Sequence, residues 1–311
     1  MKHGWLLLLL PIFTAAQAAD PLPAGEAAVW LQRMSDSARR MSYEGVFVFR
    51  NGPEMHTLSV ANRPVGPGNE SQLKALDGMQ REVRCTQAGG VTVMADGHQV
   101  RMEKRLSSRH FPDLLPANAA ALSNWYAVRL GETARVAGLD CTQVELLPKD
   151  AFRWGYVLCA EKNTGLPLKA VMVNEAGLPL TQFSFAELKL GAAPRMNLSP
   201  LPDMPEAARP VANERVVATS LPPGYSRIAV VPRQLPNRPG QVEHWVFSDG
   251  LTHISLFLEN AIRPVEPMKG QSKPGDIHML TRQVGALQAT VLGNAPWPAV
   301  EQVAMGLEIR K

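Results

Sequence analysis

"TQVELLPKDAFRWGYVLCAEKNTGLPLKAVMVNEAGLPLTQFSFAEL", residues 142–188, decides the fold. It contains four strand-like runs, "TQVELL", "GYVLCAE", "PLKAVMVN" and "PLTQFSFAEL". Turn-forming residues interrupt them at Pro148-Lys149-Asp150 and at Glu175-Ala176-Gly177. Loops this short join strands that lie side by side and run antiparallel, so the stretch predicts a meander.

The same pattern extends upstream. In "YEGVFVFRNGPEMHTLSV", Tyr43, Gly45, Phe47 and Phe49 alternate with Glu44, Val46 and Val48. Asn51-Gly52 is a hairpin signal, because both residues tolerate positive φ. Further turns are expected at Asp77-Gly78, Gly89-Gly90 and Asp96-Gly97, among the runs "SQLKAL", "REVRCTQ", "VTVMA" and "WYAVRLGE". A sheet this long twists and curls. Ahead of it, Leu31, Met34, Ala38 and Met41 share one face of a helix. That helix and a short one near Ala117 to Leu122 are expected to lie over the concave side. Tyr43, Phe47, Phe49, Trp125 and Phe183 either line a cavity beneath them or fill a core.

If the hairpin turns near Asp150, Cys141 and Cys159 face each other. Opposed β-carbons lie about 4.5–5.5 Å apart, within range of a disulfide after local adjustment. The bridge would contribute roughly 3 kcal/mol. Cys85 is left over and reads as a small buried hydrophobe.

Residues 191–212 carry Pro194, Pro200, Pro202, Pro205 and Pro210 and no apolar period, as in a semi-rigid linker. It divides a large domain at 24–190 from a small one at 213–311. The small one has strand-like runs "RVVATS", "YSRIAVV", "VEHWVFSD", "LTHISLFLEN", "IHMLTRQV" and "LQATVLG". A terminal helix from Pro298 has Val300, Val303, Ala304 and Leu307 on its apolar face. The fold class is mainly β with α+β character: a large curled antiparallel sheet with helical lids, then a small α+β domain.

The N-terminus, "MKHGWLLLLLPIFTAAQAAD", has a cationic start, a short apolar run broken by Pro11, and Ala16-Gln17-Ala18. This reads as an export signal over 1–18, cleaved after Ala18. The run is too short to span a bilayer. The expected location is the periplasm of a Gram-negative cell.

Chemistry is tested hardest at "SDGLTHISLFLEN", residues 248–260, where Ser248, Asp249, His253 and Ser255 crowd together. A serine hydrolase needs an oxyanion hole and a base held by an oriented acid. No G-x-S-x-G elbow occurs in the chain. A two-residue turn at Asp249-Gly250 would set Trp245 opposite Ile254 and Phe247 opposite Thr252. His244 and His253 would then be diagonal neighbours on the other face, with Val242, Val246, Ser255 and Phe257. No metal-ligand spacing accompanies the histidines. No phosphate-binding glycine motif is present either. The expectation is no enzyme, no cofactor and no metal. A net charge of +4 spread along the chain, without a dense basic run, argues against nucleic acid. What remains is an exported two-domain binding protein.

Four stretches then carry a family likeness: "SYEGVFVFRNG", "LDGMQREV", the run from Leu146 to Phe185, and "SLPPGYS" paired with "FSDGLTHISLF". In this order they resemble the RseB/MucB family of periplasmic regulators of an envelope-stress sigma factor. Trp154 departs from an "RYGY"-like motif, and Cys159 stands where an aromatic is common. The resemblance implies a LolA-like open barrel for the large domain. It also implies binding of the periplasmic part of a membrane-spanning anti-sigma factor, shielding it from a site-one protease. Acyl lipid or lipopolysaccharide entering the large domain would weaken that grip. His244, Val246, His253, Ser255 and Phe257 are the expected partner contacts. Self-association within the family leaves a homo-oligomer open. The alternative is a periplasmic lipid or lipoprotein carrier, using the same sheet.

Overall fold

The computed structural model describes residues 20–86, 89–94, 99–102, 110–191, 194, 196, 215–234, 241–261, 264–272 and 276–310. The expected export signal, the expected Asp96-Gly97 turn and nearly all of the expected 191–212 linker lie outside these residues. No helix among the described residues is long and apolar enough to cross a membrane.

Helix α1 spans Ala24–Arg40, with Glu26 in its first turn and Arg39 and Arg40 in its last, matching the helix dipole. Ala27, Leu31, Met34 and Ala38 are its buried stripe. Eleven strands follow: β1 (Tyr43–Asn51), β2 (Glu54–Val65), β3 (Gly68–Ala75), β4 (Arg81–Thr86), β5 (Gly89–Met94), β6 (Gln99–Met102), β7 (Tyr126–Val136), β8 (Leu139–Pro148), β9 (Gly155–Glu161), β10 (Pro167–Val173) and β11 (Pro179–Leu190). They form one antiparallel sheet in the order β6-β5-β4-β3-β2-β1-β11-β10-β9-β8-β7. The chain meanders outward from β1 and returns to pair β11 against it. Helix α1 touches β2 and β3 on one flank and β7 at the far edge. Only a sheet curled around the helix allows that. A 3-10 turn at Ala119–Asn124 packs on α1 as the second lid, two residues further along than the sequence suggested.

In the C-terminal part, β12 (Val216–Ala218) pairs with the last strand, β19 (Leu307–Ile309). A six-stranded sheet lies between them, β13 (Ser226–Gln234), β14 (Gln241–Ser248), β15 (His253–Asn260), β16 (Met268–Gln271), β17 (His278–Val284) and β18 (Leu287–Gly293), in the order β13-β14-β15-β18-β17-β16. Helix α2 (Trp297–Met305) covers one face of it. Val300, Val303 and Ala304 pack there with Trp245, Phe247, Ile254 and Leu256. Leu307 joins this core from β19, not from the helix.

Several turns are displaced from their sequence signals. Gly89 pairs with Thr86, so Gly89 and Gly90 open β5 instead of forming a turn. Asn51 is the last ladder residue, opposite Glu54, which leaves Gly52 and Pro53 as the turn. Gly52 takes the positive φ, 57°, and Pro53 supplies a fixed φ after it. In the β8–β9 hairpin Cys141 lies opposite Glu161, and Cys159 opposite Gln143. The two cysteines are therefore diagonal, not directly opposed. Their Cα atoms are 5.4 Å apart and a disulfide joins them.

The bridge closes a segment of separation 18 within one hairpin. Reducing it, or replacing both cysteines by serine, is expected to cost about 3 kcal/mol. Denaturant unfolding with and without reductant measures this, and equal midpoints would contradict it.

Candidate functional site: the junction between the two sheets

Among the described residues, Arg153 is one of the largest fully buried side chains. It sits in the loop joining β8 to β9, and its side chain is 0% exposed. Its Nε donates to Asp150 Oδ1 at 3.0 Å, and one terminal nitrogen lies 3.3 Å from Asp249 Oδ2. The other terminal nitrogen donates to the carbonyl of Pro223 at 2.5 Å. Three rings surround the guanidinium: Trp125 at 5.1 Å, Tyr225 at 5.6 Å and Tyr126 at 5.9 Å. Asp150, Trp125 and Tyr126 belong to the large domain. Asp249, Pro223 and Tyr225 belong to the small one.

The loops fit around this charge. Phe152, beside Arg153, packs into the core of the small domain. Leu251, from the β14–β15 turn, packs into the core of the large one. Each domain thus contributes one apolar side chain to the other. Tyr225 donates its hydroxyl to the Phe152 carbonyl at 3.0 Å. Gly224, at φ 81°, lies flat against Trp125; a Cβ there would sit 2.5 Å from the indole. Gly250, at φ 104°, brings its turn against Pro116 and Leu122. Burial, with the nearby Asp249 charge, pushes the phenols of Tyr156 and Tyr225 far above their ordinary range. They stay neutral hydrogen-bonding groups at any physiological pH.

This arrangement accounts for the crowded polar run at 248–255. Asp249 Oδ1 accepts from the amides of Leu251 and Thr252 at 2.9 and 2.8 Å, and its Oδ2 meets Arg153. Ser248 Oγ accepts from Gly250 N at 2.9 Å. The aspartate therefore shapes a turn and pairs an arginine, and the serine braces the same turn. Holding two extra amides widens the turn from two residues to four. Trp245 accordingly faces Leu256, Phe247 faces Ile254, and Ser248 faces His253. The faces survive this shift of two, but the neighbours change. His244 lies opposite Phe257 and its ring stacks on it at 4.4 Å, away from His253. The expected diagonal histidine pair does not form. Among the described residues there is no group of three or more His, Cys, Asp or Glu suited to a metal ion.

The surface expected to meet a partner is less open than the sequence suggested. His244 is 8% exposed and Val246 is buried, whereas Ser255 and Phe257 are half-buried and His253 is exposed. His244 Nε2 lies 2.9 Å from Ser255 Oγ, and its Nδ1 is buried without a hydrogen bond. Burial, with help from the Arg233 charge, lowers its pKa to about 4.

The expected cavity residues also divide. Phe47 contacts Phe111 at 5.1 Å, Phe183 lies at 5.6 Å from Phe111, and Phe49 stacks on Phe183 at 4.7 Å. Together with Phe185 they form one aromatic cluster, with Phe47, Phe111 and Phe185 buried in the core and Phe49 and Phe183 half-buried. Tyr43 is buried, its hydroxyl donating to the Ala38 carbonyl. Trp125 is not part of this group, because its indole is committed to Arg153 and Gly224 at the junction. Sequence reasoning missed the junction itself. Its only local trace was an arginine among aromatic residues in "AFRWGY".

Residues 26–209 match the family model for the MucB/RseB N-terminal domain, and residues 211–308 match that for the MucB/RseB C-terminal domain. The chain is similar to the sigma factor AlgU regulatory protein MucB of Pseudomonas aeruginosa, 29% identical over 330 residues, covering 99% of this chain and 98% of the relative. It is 25% identical over 316 residues to the sigma-E factor regulatory protein RseB of Haemophilus influenzae, covering 98% and 97%. Among solved structures it resembles the complex structure of Pseudomonas aeruginosa MucA/MucB, with TM-score 0.73, 27% identity, and coverage of 92% of this chain and 99% of that one. It also resembles MucB in complex with MucA(peri), with TM-score 0.72, 26% identity and coverage of 92% and 99%.

Three variants test the site. Arg153→Met leaves Asp249 buried without its counter-charge, which costs about 3–5 kcal/mol. The melting temperature should fall by several degrees, and Arg153→Met/Asp249→Asn should recover part of the loss, because it removes both charges while keeping the oxygen that accepts from Leu251 and Thr252. An unchanged melting temperature in Arg153→Met would refute the role assigned to it. For His244, the unfolded imidazole titrates at about 6.5, above its folded pKa of about 4. Between the two, only the unfolded chain takes the proton. The contribution of His244 is therefore complete above pH 6.5 and is lost as pH falls toward 4. His244→Gln should flatten that part of the stability profile, read from urea midpoints at pH 7 and pH 5.

Proposed function

The chain belongs to the MucB/RseB family, and from that premise we propose that it holds the periplasmic segment of a membrane-spanning anti-sigma factor. It is a periplasmic protein of the sigma-factor regulatory class, without catalytic chemistry of its own. The export signal at 1–18 directs the chain to the periplasm and is removed by cleavage after Ala18. While bound, the anti-sigma segment is shielded from site-one proteolysis, and the sigma factor stays captive. The working parts are a large domain at 24–190, a linker at 191–212 and a small domain at 213–311. His253, Ser255 and Phe257, the accessible members of the small-domain face, contribute to the contact.

The observation that carries this reading is the likeness, across both domains, to MucB solved with MucA. The junction adds a physical reason: Arg153 and the exchanged Phe152 and Leu251 present the two domains as one surface. Release by an envelope lipid follows from linkage, since a ligand that prefers the partner-free conformation must lower partner affinity. Phe47, Phe111 and Phe183 occupy the concavity in this conformation. An acyl chain entering there must displace them, so lipid and the present arrangement compete. That competition favours a regulated holder over a simple carrier.

The test is retention of the purified anti-sigma periplasmic domain by the immobilised full chain, followed by digestion with the site-one protease. Retention at low salt and slower cleavage are expected. No retention, or cleavage at the unprotected rate, would defeat the reading.

A further inference from the structure

The segment 110–118 is held differently from the sheet around it. It forms no strand. One stripe of polar side chains on α1 fastens it instead. Gln32 donates to the Ala117 carbonyl at 2.9 Å, Ser35 to the Pro116 carbonyl at 2.7 Å, and Arg39 to the Leu115 carbonyl. Positions 32, 35 and 39 are spaced by three and four, so they share a helix face. Arg39 also pairs with Asp113 at 2.9 Å, with the two side chains 20% and 19% exposed. Water and solutes therefore reach this pair. Two residues earlier, Phe111 is fully buried. Its ring meets Phe47 at 5.1 Å, Phe185 at 4.9 Å and Phe183 at 5.6 Å. Phe47 faces Phe185 across β1 and β11. They lie on the side that α1 covers, since Tyr43 of the same strand face reaches the Ala38 carbonyl.

We propose that this strap is an internal stand-in for the lipid: Phe111 takes the place of an acyl chain on the aromatic cluster, and Asp113 takes the place of an anionic headgroup on Arg39. The proposal rests on reading the chain as a holder whose grip a lipid weakens. It names the ligand class as an acyl amphiphile with a compact anionic head, carboxylate or phosphate. A guanidinium fork receives either kind of oxyanion in the geometry it now gives Asp113. Exchange leaves no group stranded. Asp113 turns to water as another oxyanion takes Arg39, and an acyl chain replaces the ring of Phe111. No ladder hydrogen bond has to break, because the strap belongs to no strand.

The strap also touches the small domain. Arg39 holds Asp113 and the Leu115 carbonyl with one fork, and Pro116 follows directly. Against Pro116 packs the β14–β15 turn, so closely that a Cβ on Gly250 would lie 3.1 Å from its ring. That turn carries Asp249, which meets Arg153. A strap displaced by amphiphile thus withdraws support from the turn that seats the small domain. The strap is the element with two arrangements, and occupancy of Arg39 selects between them.

The test is calorimetric titration of the full chain with laurate, lauroyl lysophosphatidate and neutral monolauroylglycerol, each below its micelle concentration. Asp113→Asn, Arg39→Gln and Arg39→Lys are titrated beside the parent, with circular dichroism confirming that each is folded. The parent should bind the anionic probes about tenfold more tightly than the neutral one. Asp113→Asn should bind all three about tenfold more tightly than the parent, because the internal competitor is weakened. Arg39→Gln should lose the preference for the anionic head, and Arg39→Lys should keep it. A strap with a merely structural role would leave that preference unmoved in Arg39→Gln, and this result overturns the proposal. So does unchanged affinity in Asp113→Asn, or no binding of any probe. The tighter anionic probe assigns the head as carboxylate or phosphate. Retention of the anti-sigma periplasmic domain is measured on the same preparations. Retention without amphiphile binding overturns the strap alone, and amphiphile binding as predicted without retention overturns the holder alone.

Discussion

A guanidinium without access to water occupies the place where the two sheets meet. Burying a charge costs several kcal/mol even after relaxation, and a single ion pair rarely returns all of it. Arg153 meets that cost with two carboxylates, one carbonyl and three ring faces. What the arrangement gains is direction. A purely apolar contact would tolerate sliding of one domain over the other. Asp249 and Pro223 accept from fixed positions on a planar fork, and only one relative orientation satisfies both. The junction therefore specifies how the small domain sits on the large one.

The rest of the molecule is organised around that point. The disulfide pins the hairpin whose loop carries Arg153. The β14–β15 turn is held by Asp249, which spends one carboxylate oxygen on the turn and the other on the partner charge.

The strand pattern was legible because antiparallel strands advertise themselves through alternation and turn residues, as at Tyr43–Asn51 and Pro179–Leu190. Helix α1 was legible from the stripe Leu31, Met34 and Ala38. Register was not. Asp249-Gly250 looks like a two-residue turn, and only the capture of two amides by the Asp249 side chain reveals four. The site was illegible for a deeper reason. Arg153 and Asp249 are 96 residues apart, and nothing local marks either as paired. Trp125 read as a cavity residue because its type suits a cavity, and its neighbours Arg153 and Gly224 come from distant segments. His244 and Val246 read as surface because strand alternation predicts faces, not what covers them.

The central claim is that the buried Arg153 contact makes two domains behave as one body. Small-angle X-ray scattering of the full chain and of Arg153→Met under the same conditions tests it most directly. The account predicts a parent curve that fits a single compact arrangement, and a variant with a larger radius of gyration and a broadened distance distribution. Superimposable curves from the two proteins would contradict it.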